Sequence, residues 1–578
     1  MISSFTPSAG AAPTQVIISG QNFGISQGAV TLDGVAATVV ASGWSQSQII
    51  ITLPQACTGP GSLQVRSFNG VIATAANKFN NTKCLHPDPN ELQACLDEVG
   101  PNGYNNTYCT LGGGSFYIYD NDSTAPRPAG TFPPIRVSRG NVTISSSGGT
   151  LVSNMLLSQA STYTDNGIVY YNKTPMMTIN FKGNTGGVVI DGLNFYNDPS
   201  PDREGNFIQV EQADIGSANS GVFTDTPDSG PYSLEIKNTS MFGGQSPNNS
   251  TTSNPYPHSF GIQVVYGETR ADNIYFHNNT FERSTIGFYK SDSPKWFYSS
   301  AAVSTNCDST DLLGRTFLNT TDSIASRNIF IMNNAFKNAG QGFLVFSPAR
   351  QIHLLNNTFI NDSGVHLSYT HEGGQIFIDQ CVDTMMIENN TFTGAGAVAD
   401  TRISGIEMYG RNITVRNNSI SRMWLEGIGA GNTYNAKILN NFIYDNNYGA
   451  YVTGATLGGI QIWNLLPSVD MWKARAGSGM VISGNYFGNS STGQNQVYGI
   501  RLGYYTYNPN WPGPLDPSIP QQPIPANTMI GPNNVFNFNG YANTTADGCY
   551  ATQYTPLVNG IPIGITVTGG TVNWMPCP

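Results

Sequence analysis

A short segment recurs along the chain, and it limits the possible folds more than any other feature. In each copy, two apolar residues at a spacing of two precede an Asn-Asn pair, and an aromatic residue or Ile follows shortly after. Successive pairs are 55, 23, 33, 28, 23 and 44 residues apart. The copies, of which the last has Gly-Asn in place of Asn-Asn, lie at 274–281, 329–336, 352–359, 385–392, 413–420, 436–443 and 480–487.

This repeat predicts a parallel β-helix with three short strands in each coil. The two apolar residues form a strand, and the Asn pair turns the corner because Asn tolerates the left-handed backbone conformation. Buried Asn side chains in successive coils can stack and exchange amide hydrogen bonds. The shortest step, 23 residues, is about one coil. The pattern extends over roughly residues 140 to 540.

Residues 1–80 follow a different pattern. Val16 and Ile18 alternate with polar residues, as expected for a strand buried on one face. Several short strands within eighty residues predict a small β-sandwich. The Phe5-x-Pro-x-x-Gly and Gly20-x-Asn-Phe elements resemble the IPT/TIG immunoglobulin-like family. That resemblance implies a binding or spacer module and supplies no catalytic residue. Further strands are predicted at Ala29–Leu32, Ala37–Val40, Ile49–Leu53 and Ser62–Ser67.

A helix is predicted over about 89–99, with Asp88 or Asn90 as its N-cap and an apolar stripe along one side. With the strands that follow it, this segment resembles the beginning of the pectate-lyase-like right-handed β-helix superfamily. There a short amphipathic helix covers the open end of the solenoid, which removes an exposed sheet edge. The predicted fold class is therefore all-β: a sandwich at 1–80, a linker and cap at 81–140, a right-handed parallel β-helix at 141–545 and a C-terminal cap or tail at 546–578.

Composition excludes several classes of function. Charged residues make up 11% of the chain, the net charge is −10, and no Lys/Arg cluster is present, so nucleic-acid binding is not expected. No apolar stretch reaches the length of a membrane span. Met1 is followed at once by strand-like sequence instead of a signal peptide, which favours a mature form with an added Met, with non-classical export as the alternative.

The eight cysteines form no metal-binding pair, and their clustering favours disulfides in a secreted or cell-surface protein. Cys549 with Cys577 would fix the C-terminus. Two more bonds are expected among the first four cysteines, and buried free thiols are the alternative. Asn-X-Ser/Thr sequons are frequent, but their number does not decide whether the protein is glycosylated. The sequence does not determine the oligomeric state either. The first four cysteines are Cys57, Cys84, Cys95 and Cys109.

Three long loops are predicted to interrupt the repeat, at 284–326, 456–477 and 504–525. Loops of such length are usually functional or disordered, and the aromatic residues in them suit stacking on sugar rings. Packing against the solenoid wall or a neighbouring subunit is the alternative. The predicted substrate-binding aromatics are Trp463, Trp472, Tyr505 and Trp511.

A pair of carboxylates is the strongest candidate for catalysis. Counting back ten residues from Asn389 and Asn417 reaches Asp379 and Glu407. Adjacent strands lie about 4.8 Å apart, so the two carboxylates would face outward roughly 5 Å from one another. This spacing suits a retaining glycosidase and also a Ca²⁺ site. The alternative is a chance coincidence among 36 acidic residues.

Nearby residues complete the predicted site. His371 and Arg402 are the other catalytic candidates, since His can move a proton and Arg can neutralise a uronate carboxylate. Tyr409 and Glu372 are the nearby candidates for substrate binding, and Arg411 is a further nearby cation. No cofactor or metal is predicted apart from the calcium alternative.

Polygalacturonase motifs such as Gly-His-Gly and Arg-Ile-Lys are not found in order, and the calcium and arginine signatures of pectate lyases are not recognisable. The β-helix resemblance therefore transfers no catalytic residue. The favoured hypothesis is an extracellular carbohydrate-directed protein that binds an extended polysaccharide or surface glycan along the exposed solenoid sheet, and the sequence leaves open whether it also cleaves the polymer as a lyase or glycoside hydrolase. The alternative is a non-catalytic adhesin or a fibre or tailspike-like subunit.

Overall fold

The structure is a computed structural model. It describes residues 1–10, 13–32, 34–54, 60–81, 85–100, 103–104, 108–119, 129–153, 162–165, 168–171, 175–182, 186–197, 206–214, 232–243, 259–266, 271–290, 326–339, 341–345, 349–361, 373–378, 382–396, 403–431, 433–448, 458–463, 478–489, 496, 498–503, 527–537, 547–550, 557–562 and 564–577.

The N-terminal segment is the predicted sandwich. Its pairings are antiparallel except that of the second strand with the eighth. Alternate residues such as Val16, Ile18 and Ile51 are fully buried in its own core, as the period-two pattern predicts. In chain order the strands are Ile2–Thr6, Ala9–Gly10, Gln15–Gly20, Ala29–Leu32, Val35–Trp44, Gln48–Thr52, Pro60–Arg66 and Ile72–Asn81.

The predicted cap is the helix Pro89–Asp97. The Asp88 side chain accepts a hydrogen bond from the backbone N–H of Glu91, so Asp88 is the N-cap. Leu92, Cys95 and Leu96 are buried against the first coils, as the apolar stripe predicts. The helix ends two residues earlier than expected, because Val99 pairs with Tyr104 in a short hairpin, Val99–Gly100 with Gly103–Tyr104.

The remainder is a parallel β-helix, which confirms the predicted fold class. In the described residues, three parallel sheets contain 14, 13 and 13 strands and are named here sheets 1, 2 and 3. Sheet 1 consists of Leu85–His86, Tyr108–Leu111, Val142–Ser146, Val188–Asp191, Leu234–Lys237, Ile274–His277, Ser326–Met332, Ala349–Leu355, Val382–Glu388, Arg411–Arg416, Lys437–Leu439, Val481–Ser483, Thr528–Ile530 and Ile565–Val567.

Each coil passes from sheet 1 to sheet 2, then to sheet 3 and back to sheet 1. Sheet 2 consists of Thr131–Phe132, Gly114–Ile118, Gly149–Ser153, Asn194–Asn197, Ser240–Phe242, Thr280–Glu282, Ala335–Lys337, Thr358–Ile360, Thr391–Thr393, Ser419–Ser421, Phe442–Tyr444, Tyr486–Gly488 and Val535–Asn537. Sheet 3 consists of Ile135–Val137, Pro175–Lys182, Asn206–Asp214, Ser259–Tyr266, Ser284–Lys290, Phe343–Val345, Gly373–Ile378, Ile403–Met408, Ile428–Gly431, Gly458–Trp463, Tyr498–Leu502, Gly548–Tyr550 and Trp574–Pro576. Two further hairpins are Thr162–Asp165 with Ile168–Tyr171 and Leu557–Val558 with Ile561–Pro562.

The Asn pairs form the corner between sheets 1 and 2, as predicted. The first Asn of each pair has a positive φ, for example 56° at Asn389. The second Asn is buried and joins a ladder of amide hydrogen bonds, in which Asn390 Nδ2 donates to Asn418 Oδ1 at 3.0 Å. The ladder is continuous through Asn279, Asn334, Asn357, Asn390, Asn418, Asn441, Asn485 and Asn534.

Three details differ from the sequence prediction. The parallel strands begin at Leu85 and end at Pro576, beyond both ends of the predicted range 141–545. The first residues of the predicted loop 284–326 form the strand Ser284–Lys290. Trp463 belongs to the strand Gly458–Trp463, not to a loop. In the last two cases, residues that were predicted to belong to a loop extend a strand of sheet 3, and the long connection begins only after that strand ends.

The disulfide Cys549–Cys577 is present as predicted, and Cys95 is joined to Cys109. The other four cysteines lie outside the described residues. No helix in the described ranges is long and apolar enough to cross a bilayer.

Candidate functional site

The lengths of the connections set sheet 3 apart from the other two sheets. Each Asn pair joins sheet 1 to sheet 2 in two residues, whereas the connections into and out of sheet 3 vary widely. Residues 291–325 follow one sheet 3 strand, 464–480 follow another, and 361–372 precede a third. Binding and catalytic residues concentrate where long connections meet a rigid scaffold. The outer face of sheet 3 is therefore the candidate site.

Strand register shows which side chains share that face. Phe377 pairs with Glu407, Glu407 with Gly429, and the row continues through Gln461 and Arg501. The residue before each of these, such as Ile406 before Glu407, is an apolar residue that points into the core with no exposed surface. Side chains alternate along a strand, so Glu407, Gln461 and Arg501 face outward.

Glu407 is held by a neighbour on its own strand. The Tyr409 hydroxyl, two residues further along and on the same face, donates a hydrogen bond to Glu407 Oε1. The Tyr409 ring lies 5.8 Å from that of Phe377 and 6.1 Å from that of Trp463, edge to face in the second case. Glu407 is only 8% exposed, so its carboxylate is largely removed from bulk water.

The strand Ile428–Gly431 presents only glycines to this face. A Cβ on Gly429 would lie 2.7 Å from Glu426 Oε1 and 2.7 Å from the Trp463 ring. A Cβ on Gly431 would lie 2.7 Å from Trp463 Nε1. The indole therefore lies flat along the backbone of this strand, and the Glu426 carboxylate lies beside it. The missing side chains make this close packing possible.

Glu426 is the site residue that sequence reasoning missed. It is 6% exposed, and its carboxylate contacts the same glycine that separates Glu407 from Gln461. It lies in the connection just before its strand, outside the strand pattern of the repeat. The alternation Gly427, Gly429, Gly431 is the signal that could have marked this strip, because it predicts a strand face without side chains.

A third polar residue, Ser404, is buried in the strand that contains Glu407. Ser404 lies two residues before Ile406, as Glu426 lies two residues before Ile428, and the two isoleucines pair. Ser404 is 1% exposed, and its hydroxyl has no hydrogen-bond partner among the described residues. Buried hydroxyls are normally satisfied, so this hydroxyl is an exception within the strand that contains Glu407.

The predicted site residues fall into two groups. Glu407, Tyr409 and Trp463 lie together on sheet 3, although their roles stay predictions. Arg411, in contrast, is on sheet 1, where it forms an ion pair of 2.7 Å with Asp383. The remaining predictions lie outside the described residues: Asp379, His371, Arg402, Glu372, Trp472, Tyr505 and Trp511.

The register expected for the two acids is wrong. The residue paired with Glu407 is Phe377, not the residue expected from the count, and Ile378 pairs with Met408. The reason is the corner that follows: Asp383 pairs with Arg411, six residues after Phe377 but four after Glu407. A count back from the Asn pair to the sheet 3 strand passes through this corner. The corner differs by two residues between the two coils, so equal counts do not reach paired residues.

Among the described residues, the one set of three His, Cys or acidic side chains close enough to share a metal ion is His86, Cys95 and Cys109. The two sulfurs are joined in a disulfide and offer no thiolate. Burial lowers the pKa of His86, as burial disfavours the charged imidazolium. A calcium ion at the sheet 3 acids stays a prediction.

One histidine does have a partner that the sequence did not suggest. On the outer face of sheet 1, His277 Nε2 lies 2.8 Å from Glu235 Oε1, and Lys237 Nζ lies 3.0 Å from the same oxygen. Hydrogen bonding by His277, then by Lys237, lowers the pKa of Glu235. His353, on a sheet 1 strand, is fully buried and stacks on Phe330 at 4.7 Å.

Residues 1–80, which contain the sandwich, match the model of the IPT/TIG domain family. A search of curated proteins found no match for the chain. Among solved structures, the A-module of the Azotobacter vinelandii mannuronan C-5 epimerase AlgE6 is 12% identical, with a TM-score of 0.37 over 86% of this chain and 97% of that one.

Two other solved structures are similar to a comparable degree. The alginate lyase AlyF-OU02 in complex with G6 is 13% identical, with a TM-score of 0.45 over 85% of this chain and 84% of that one. The Dettilon tailspike protein is 10% identical, with a TM-score of 0.44 over 78% of this chain and 64% of that one. These values are too low for any residue's role to be carried across.

Proposed function

We propose that the chain is a carbohydrate-directed enzyme that cleaves glycosidic bonds of a polysaccharide on the outer face of sheet 3. One observation carries the proposal: two largely buried carboxylates, Glu407 and Glu426, flank a strand face made only of glycine. Removing carboxylates from water is costly, and such groups are usually kept for a function that needs them.

The arrangement suits acid–base chemistry. In hydrolysis, one carboxylic acid protonates the leaving oxygen while the other carboxylate activates water or attacks the sugar. In elimination, a base removes the proton next to a sugar carboxylate, a C=C bond forms as the glycosidic C–O bond breaks, and an acid protonates the leaving oxygen. Arg501 is the cation in the same row of side chains. In both reactions the Tyr409 hydroxyl fixes the orientation of Glu407.

The shape of sheet 3 suits an extended polymer. Its described strands are stacked in register at about 4.8 Å each, so the outer face is a long strip parallel to the solenoid axis. Two disulfides fit a protein that works in an oxidising environment such as the outside of a cell. A polysaccharide or surface glycan is therefore the partner proposed.

The test is digestion of a polysaccharide panel by the purified full chain. Hydrolysis releases new reducing ends alone, whereas elimination also produces an unsaturated sugar that absorbs ultraviolet light. We expect Glu407→Gln and Glu426→Gln each to lower kcat by about 10²–10⁴-fold. Glu282→Gln, on the outer face of sheet 2, is the matched control. Cleavage unaffected by both site variants would refute the proposal.

A second candidate function is a non-catalytic surface protein such as an adhesin or a fibre subunit. Burial favours it, because Trp463 is 4% exposed and cannot present a ring face to a sugar in this conformation. On this reading the polar cluster specifies the packing of sheet 3. The Gln variants would then change thermal stability, and no polysaccharide in the panel would be cleaved.

A further inference from the structure

The corner between sheets 1 and 2 carries a second pattern besides the amide ladder. At five corners the first Asn of the turn also begins an Asn-X-Ser/Thr sequon. Each of these five residues has a positive φ between 53° and 56° and an exposed side chain, whereas the residue after it is buried. We name this set the corner sequons. They begin at Asn238, Asn278, Asn356, Asn389 and Asn417.

The turn does not require the Ser or Thr that completes each corner sequon. This residue begins a sheet 2 strand, and the same position is Ala335 or Phe442 at two other corners. Those corners begin with Asn333 and Asn440, which also have a positive φ, of 54° each. The geometry of the corner therefore explains the Asn and leaves the third residue of the sequon unexplained.

Two other sequons begin at residues whose amides are already engaged. Asn489 is 5% exposed, its Nδ2 donates to the Gln496 carbonyl at 2.9 Å, and its Oδ1 accepts from the Gln496 N–H at 3.1 Å. Asn412 Nδ2 donates to Asp383 Oδ1 at 2.7 Å, and Asn412 Oδ1 accepts from Asn435 Nδ2 at 2.7 Å. A sugar on either amide would break contacts on which the folded chain depends.

Two of the corner sequons meet the opposite condition. Among the described residues, the side-chain amides of Asn356 and Asn389 make no hydrogen bond, and both side chains are exposed. The nitrogen that would carry a sugar is therefore available at these two corners. At the other three corners the amide contacts a side chain of sheet 1, namely Asp191, His277 or Glu388.

We infer that the corner between sheets 1 and 2 is an N-glycosylated edge, with Asn356 and Asn389 as its acceptors. The co-reactant is an oligosaccharide carried on a lipid pyrophosphate. The amide nitrogen forms a bond to C1 of the first sugar and loses one proton. The bond between C1 and the pyrophosphate oxygen breaks, so the lipid pyrophosphate leaves.

The edge lies where glycans do not obstruct a polymer on sheet 3. This corner joins the two sheets other than sheet 3, and no residue in the described strands of sheet 3 begins a sequon. Adjacent corners are about 4.8 Å apart, so a glycan on one crowds the next and incomplete occupancy of each is expected. The inference does not depend on cleavage at Glu407.

The test is peptide mapping by mass spectrometry of the full chain, secreted from a eukaryotic host with an added signal peptide. The amidase that removes an N-linked oligosaccharide converts its Asn to Asp, so fragmentation of the peptides identifies each acceptor. We expect oligosaccharide on Asn356 and Asn389 and none on Asn412 or Asn489. Because transfer precedes folding, a chain modified at Asn489 is not expected to fold and be secreted.

Variants at the third position test the sequons without changing an Asn. Thr358→Ala should abolish the glycan on Asn356, and Thr358→Ser should keep it. Ala335 is paired with Thr358 on the adjacent strand, so Ala is compatible with this position, and circular dichroism checks the fold. Conversely, Ala335→Thr completes a sequon at the exposed Asn333 and should add a glycan there.

Glu407→Gln separates this inference from the proposed function, since it should abolish cleavage and leave the glycans in place. Three results would overturn the inference. Neither Asn356 nor Asn389 carries an oligosaccharide, the buried Asn489 is modified as fully as they are, or Ala335→Thr gains no glycan.

Discussion

The Tyr409 hydroxyl donates a hydrogen bond to Oε1 of Glu407, the residue two positions before it on the same outward face of sheet 3. Strand periodicity puts the two side chains on one face, and the contact sets the direction in which the carboxylate points. Tyr409 itself is fixed by Phe377 on one side and Trp463 on the other. The orientation of Glu407 therefore depends on residues from three strands.

Tyr409→Phe is expected to lower kcat by about tenfold with little change in KM, because it removes a positioning hydrogen bond and keeps the ring. Steady-state kinetics on a cleaved polysaccharide measure this. The pH dependence of kcat should change as well, since the hydroxyl contacts an ionisable group. A variant with wild-type kcat and pH profile would show that Glu407 needs no such support.

Gly431→Ala is expected to destabilise the β-helix by about 1–3 kcal/mol, because the new methyl group would displace Trp463 and Tyr409 from the strand they cover. Calorimetric melting measures the loss. Gly570→Ala is the matched control, since its Cβ would meet no atom within 4 Å. Equal melting temperatures for the two variants would contradict the close packing of the indole on the strand.

The coil was predictable from the sequence because each copy of the repeat contains the residues that determine its strand and its corner. Apolar alternation gives the strand, the first Asn accepts a positive φ, and the second Asn meets its equivalent one coil away. All of these are local, and repetition makes them visible. The helix cap at Asp88 and the Cys549–Cys577 disulfide were also predicted from the sequence, although neither belongs to the repeat.

The site was only partly predictable because it depends on the corners between repeats. Glu407 was identified from its strand, but the two-residue difference between corners gives it Phe377 as a neighbour in place of Asp379. Glu426 precedes its strand, so the alternation of inward and outward residues along the strand does not predict where its side chain lies. Its proximity to Gly429 depends on the absence of side chains on the strand that it precedes, for which the alternating glycines are the only sign in the sequence.

Asn390→Asp is expected to destabilise the β-helix by about 3 kcal/mol or more. The Asn390 amide donates to Asn418 Oδ1, Leu354 O and Glu388 O at 2.9–3.0 Å, and a carboxylate there would face three acceptors with no proton to give. Urea unfolding measures the change. Asn389→Asp is the control, because Asn389 is exposed and Asp also tolerates a positive φ. If both variants lost similar amounts of unfolding free energy, the ladder of amide hydrogen bonds would not be the cause of the destabilisation.

Glu235 gives a pH prediction on sheet 1. Hydrogen bonding by His277 and Lys237 lowers the pKa of Glu235 below its ordinary value of 4.5, and burial opposes this shift only in part. A carboxyl group whose pKa is lower in the folded chain stabilises the fold above its unfolded pKa and loses that contribution as the pH falls through the folded value. The groups that face it are Lys237, His277 and Tyr275.

Glu235→Gln should therefore be less stable than the wild type near neutral pH, and the difference should shrink once the pH falls below 4.5. Melting temperatures of both proteins between about pH 3 and about pH 7 measure the convergence. Burial raises the pKa of Tyr275, so its ionisation lies well outside this range. Glu282→Gln on sheet 2 serves as the control for removing one acid. A difference from wild type that stays constant across the range would mean that Glu235 contributes through packing and not through its charge.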